Sequence, residues 1–144
     1  MRLKLLVVLA LGCASAVPAA TQQRPNEARD MMRSMGLKGM SAKKLAKAIA
    51  RAETRPLGSK ANPVRENMPE GELAYLRRLR CSGGQPPAFE RKGSVGAGIY
   101  GNILDLYSVA CPGAAPAEVY MDMYHDGPEN RPLPGFTMAE GGGA

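Results

Sequence analysis

Apolar and polar residues alternate with period two in two stretches of the chain, Asn102–Ala110 ("NILDLYSVA") and Ala117–His125 ("AEVYMDMYH"), on either side of "CPGAAP". Such alternation puts successive side chains on opposite faces of a strand, so the two stretches predict an antiparallel β-hairpin. If Ala110 opposes Ala117, one face carries Leu104, Leu106, Val119, Met121 and Met123, an apolar surface suited to a core. The other face then pairs Ile103 with Tyr124, Asp105 with Asp122, and Tyr107 with Tyr120. A slip of one residue would put the two aspartates on different faces.

A helical pattern runs through "MPEGELAYLRRLRC", Met68–Cys81. Pro69 suits a first turn, Glu70 and Glu72 sit at the positive end, and Arg77, Arg78 and Arg80 sit at the negative end. Leu73, Leu76 and Leu79 form a stripe that would cover the apolar face of the hairpin. A strand competes for this segment, because Leu73, Tyr75 and Leu79 also share a period-two face. Two shorter helices are predicted upstream. "NEARDMMRSMG" has Asn26 as a cap and Gly36 as a stop, and "SAKKLAKAIARAE" has Ser41 as a cap before Ala-rich helix formers. "RPLGSKANP", Arg55–Pro63, reads as a linker, and "FERK" as a strand beside the hairpin. "GPENRPLPGF" is too proline-rich for a central strand and predicts an extended rim with Phe136 in the core. The expected fold is α+β: one helix on a short antiparallel sheet across residues 61–138, with a flexible tail at 139–144.

The first residues change the setting. "MRLKLLVVLALGCASAVPAA" has a basic start, a short apolar run and small residues, the order of an export signal over residues 1–16. The run is far short of the ~20 residues that span a bilayer, so no transmembrane helix is expected in the mature chain. Cleavage after Ala14-Ser15-Ala16 would leave Val17 at the new N-terminus. Alternatively, "ALGC" offers Cys13 as a lipid anchor, although its Ala and Leu fit that pattern poorly. The expected location is therefore the periplasm or the exterior. In an oxidising compartment Cys81 and Cys111 have one possible pairing, a disulfide that staples a small domain.

Charge divides the chain. Residues 21–60 carry 10 Lys/Arg against 3 Asp/Glu, whereas residues 61–144 carry 7 against 10. Lys44, Lys47 and Arg51 share one face of a predicted helix, with Leu45 and Ile49 on another. The basic leader, residues 17–60, is expected to be loosely helical and to meet an anionic envelope surface or an envelope protein. Nucleic acid is not expected, since no aromatic residue interleaves these cations to stack on bases.

Candidate chemistry is sparse. Opposed aspartates destabilise a sheet unless something compensates. Arg91 or Lys92, or Arg77 or Arg78, could neutralise Asp105 and Asp122. Left free among Tyr107, Tyr120 and Tyr124, the pair could bind or hydrolyse a carbohydrate. Met121, Met123 and His125 suggest Cu(I), but Leu104 and Leu106 share the predicted face, which favours methionine as core filler. His125 is the sole histidine, next to the Asp126-Gly127 turn, so a solvent-facing strand end is expected and neither a zinc site nor a Ser-His-Asp triad is written here. "GAGIYG", Gly96–Gly101, matches a dinucleotide fingerprint in letters only, since a strand and not a helix follows it. No cofactor is expected. The chain reads as an exported envelope protein, a non-enzymatic binding or interaction module. The alternative is a small hydrolase or carbohydrate-binding module using Asp105 and Asp122.

Overall fold

The computed structural model describes residues 27–34, 36 and 39–139. The expected export signal, Cys13, the expected cap Asn26 and all but the first residue of the expected tail lie outside the described residues. Two helices come first, α1 (Glu27–Ser34) and α2 (Ala42–Ala52), followed by a short strand β1 (Val64–Arg65) and helix α3 (Met68–Arg78). Then come β2 (Leu79–Arg80), β3 (Ala88–Ala97), β4 (Ile103–Ala110), β5 (Ala117–Asp122) and β6 (Thr137–Met138). The fold is α+β, with helices packed on a four-stranded sheet of order β1-β5-β4-β3. The sheet is mixed and not purely antiparallel, because β1 runs parallel to β5. A separate pair joins β2 to β6 in antiparallel register.

The hairpin forms, but one residue away from the expected register. Asp105 opposes Met121, Tyr107 opposes Val119, and Val109 opposes Ala117. The inward face of β4 therefore carries Tyr107 and Val109, not Leu104 and Leu106. Together with Val119, Met121, Val64 and Leu133 they pack against Tyr75, Leu76 and Leu79. Two features account for the shift. Tyr107 and Val109 are buried beneath α3, where the Tyr107 phenol finds its partner in Glu72. Leu104 is still fully buried on the opposite face, beneath the β3–β4 turn. That turn approaches so closely that a Cβ built on Gly98 would lie 2.6 Å from the Leu104 side chain. The glycines of "GAGIYG" thus serve a tight turn in which the Gly98 amide donates to the Asn102 carbonyl.

The packed body reaches back beyond residue 61. Ala52 is buried, Leu57 packs on the core, and the Tyr120 amide donates to the Gly58 carbonyl across 2.8 Å. Residues 57–62 are tied down by the turn bridging Ser59 and Asn62, and Asn62 donates its side-chain amide to the Arg55 carbonyl. At the other end, residues 127–136 form no regular strand and turn at 134–135, where the Phe136 amide donates to the Leu133 carbonyl, and Phe136 packs against the core.

Cys81, just past β2, is bonded to Cys111, just past β4, with Cα atoms 5.8 Å apart. The bridge joins the exit of α3 to the hairpin loop, so it staples the helical layer to the sheet. Cross-linking a loop this long removes roughly 3–4 kcal/mol of unfolded-state entropy. Replacing both cysteines with serine should lower the urea-unfolding free energy by about that amount, with the spectrum of the folded state retained.

Candidate functional site

The register decides what happens to the two aspartates. Neighbouring positions along a strand point to opposite faces, so with Asp105 opposite Met121, Asp122 is turned away from Asp105. The expected face-to-face carboxylate pair does not form.

Each aspartate has its own partners. Arg91 on β3 grips Asp105 in a two-point ion pair, Nε to Oδ2 at 2.7 Å and Nη2 to Oδ1 at 2.8 Å. Ser94 adds a hydroxyl at 2.9 Å to Oδ1. The cross-strand pairing of Arg91 with Tyr107 and of Ser94 with Asp105 places both donors. Arg91 is half-exposed, and Asp105 raises its pKa further through this bond. Asp122 is fully buried. It accepts from the Asn102 side-chain amide, 3.1 Å to each oxygen, and from the Tyr124 backbone amide at 3.1 Å. Of the cations proposed from sequence, Arg91 is the one that reaches an aspartate; Lys92 pairs with Glu90, and Arg78 binds Asn130 and the Glu129 carbonyl.

His125 is buried and not solvent-facing. Its ring meets Tyr100 edge-to-face at 5.0 Å, and its backbone amide donates to the Glu66 carbonyl, which continues the β1–β5 pairing inward. Its Nε2 lies 3.3 Å from Asp122 Oδ2, off the line of a hydrogen bond. Met121 belongs to the main core, whereas Met123 joins Met32, Met68 and Tyr124 in a second small cluster. The three proposed copper ligands therefore do not converge, and among the described residues no group of three His, Cys, Asp or Glu side chains could hold a metal. Of the tyrosines, Tyr107 and Tyr124 are buried, and Tyr120 is half-buried with its hydroxyl 3.4 Å from Glu118. Tyr107 is enclosed in the main core, whereas Tyr124 borders a depression with Met32, Met40 and Tyr100.

Three glutamates that sequence reasoning did not single out as site residues complete the acidic interior. Glu72, on the buried side of α3, accepts from the Tyr107 hydroxyl at 3.0 Å, and its other oxygen is unpartnered. Burial, and then the charge of Asp105, push its pKa up to about 8. Glu66 accepts from the Glu129 amide, and burial pushes its pKa up to about 7. Glu129 is pushed up by burial too, but the hydrogen bonds from Arg131 outweigh that and its pKa falls below the ordinary carboxylate value. Arg131 holds it at 2.9 and 2.8 Å, while Arg65 and Arg131 also reach Glu53 at 3.1 and 3.3 Å. These four charges clasp the end of α2 to the domain. The signal for Glu72 was present: it lies four and seven residues before Leu76 and Leu79, on their face of the helix. The partnership of Glu129 with Arg65 and Glu53 has no counterpart in local sequence. An open cleft of about 600 Å³ lies beside this clasp, between Leu45 and Ile49 of α2 and the 125–131 segment.

The chain matches no family model, no curated protein and no solved structure.

The two raised glutamates set the pH dependence of folding. A carboxyl that binds its proton more tightly in the folded than in the unfolded chain stabilises fully below the unfolded pKa, and that contribution is lost as pH rises through the folded value. Stability should therefore decline between about pH 5 and pH 8, with a slope of at most ~1.4 kcal/mol per pH unit for each proton. Glu129, shifted the other way, adds a loss on acidification below the ordinary carboxylate range. The Glu72→Gln variant should make the profile shallower between pH 7 and pH 8, where Glu66 passes from half to mostly titrated, as read by urea unfolding across that range.

Proposed function

We propose that the protein is a non-enzymatic interaction module of the cell envelope, exported by its N-terminal signal to the periplasm or the exterior. The observation that carries this reading is the saturation of Asp105. Both of its oxygens are held by Arg91 and one also by Ser94, so neither is free to serve as an acid, a base or a nucleophile. Asp122 is fully buried and bound by Asn102 and the Tyr124 amide. Carboxylates so engaged hold a fold together, and the Tyr107 and Tyr124 rings are buried with them. The disulfide supports the oxidising location, since such bonds persist outside the reducing cytoplasm. No helix among the described residues is long and apolar enough to cross a membrane.

The hydrolase alternative makes an opposite demand of the same residues. If Asp105 is structural, Arg91→Ala and Asp105→Asn should each destabilise the fold by about 1 kcal/mol, a figure discounted for the half-exposed arginine. The double variant should fall short of the sum of the singles, because the two side chains touch. A double-mutant cycle in urea measures this coupling. Incubation of the exported chain with peptidoglycan and soluble oligosaccharides should release no product. Turnover that disappears in Asp105→Asn or Asp122→Asn would overturn the reading.

A further inference from the structure

The outer side of α2 and the β3–β4 turn come together into one surface that neither segment forms alone. Lys44, Lys47 and Arg51 lie along the exposed side of α2, and Arg55 follows within a turn of its end. None of these four cations has an ion-pair partner among the described residues. The apolar residues of α2, Leu45 and Ile49, line the cleft toward Arg65 and Glu129, and Leu45 also borders a depression with Met40 and Tyr100. Apolar side chains reach the outer side from elsewhere. Met40 shares a depression with Lys44, Tyr100 and Gly101, and Ile99 shares another with Arg51 and Arg55. Met40 and Ile99 are 41% and 38% exposed. Ile99 is carried on the turn closed by the Gly98–Asn102 and Gly101–Gly98 hydrogen bonds, so it is presented without an ordering cost.

We propose that this face docks the protein on an anionic lipid bilayer, which rests on the reading of the protein as an envelope interaction module. Unpaired cations attract the lipid phosphates, each Lys or Arg near such a surface adding about fivefold to affinity. The exposed Met40 and Ile99 would enter the headgroup boundary beside them. A soluble polyanion offers the same negative charge but gives these apolar side chains nothing to enter, which is why lipid is the better match.

The test uses the exported chain, with its N-terminus established by mass spectrometry. It is sedimented with vesicles of one part phosphatidylglycerol to two parts phosphatidylethanolamine, and with vesicles of phosphatidylcholine alone. Binding is expected to the first only, and to weaken with added salt. Lys44→Glu/Arg51→Glu, two exposed substitutions checked for folding by circular dichroism, should lose binding by about tenfold or more. Ile99→Ser should lose about threefold with its salt dependence unchanged. Equal binding by the charge-reversed variant and the parent would overturn the proposal. So would an Ile99→Ser variant that binds as the parent does while dextran sulfate competes fully, since that outcome assigns the face to polyanions. Failure to bind vesicles, with no glycan turnover, would overturn lipid docking and leave the non-enzymatic reading standing. Glycan turnover that depends on Asp105 would overturn that reading itself.

Discussion

The register of β4 on β5 is the constraint from which the rest of the interior follows. With Asp105 opposite Met121, the inward side chains are Tyr107, Val109, Val119 and Met121, and α3 closes over them through Tyr75, Leu76 and Leu79. A one-residue slip would turn this whole set outward. Burying Tyr107 then obliges the helix to bring an acceptor to its hydroxyl, since an unpaired buried phenol costs a large part of what its ring contributes. Glu72 is that acceptor, and in being buried it becomes a carboxyl that holds its proton near neutrality. The same register puts Asp105 at the edge of the buried face, within reach of Arg91 on the neighbouring strand.

The acidic interior is thus built from separately satisfied groups and not from one cooperative cluster. Asp105 has Arg91, Asp122 has Asn102 and a backbone amide, and Glu129 has Arg131. Buried charges survive only when paired or hydrogen-bonded, and a carboxylate so occupied has little left to offer a substrate. Glu72 and Glu66 follow the other route open to a buried acid, which is to remain protonated over a wider pH range.

The basic segment contributes to the structure through a different set of contacts. Glu53, at the end of α2, meets Arg65 and Arg131, which both hold Glu129. With Ala52 buried and Gly58 hydrogen-bonded to Tyr120, this clasp gives α2 a defined orientation. Its apolar side faces the cleft, and its lysines are left facing outward beside Met40 and Ile99. Charge asymmetry along the sequence becomes a separation in space: Asp105, Asp122 and Glu129 are buried and partnered, whereas Lys44, Lys47, Arg51 and Arg55 stand exposed without an ion-pair partner among the described residues.

Much of the architecture was determined by the sequence alone. Period-two alternation marked both strands of the hairpin, helix-end residues such as Pro69 and the closing arginines marked α3, and the two cysteines beyond the expected signal left one pairing. These are local rules, satisfied within a few residues. The sequence could also name Arg91 as a candidate partner for an aspartate. It could not choose between two registers that differ by one residue, because both placed large side chains inward. The choice turned on Glu72 reaching Tyr107 and on Gly98 letting a turn fold over Leu104. Those contacts join residues 35 positions apart in the first case and depend on the close approach of two backbone segments in the second. The clasp of Glu53, Arg65, Glu129 and Arg131 is likewise a tertiary decision. Ion pairs between segments so far apart are set by how the layers stack, and no periodicity in the chain encodes them.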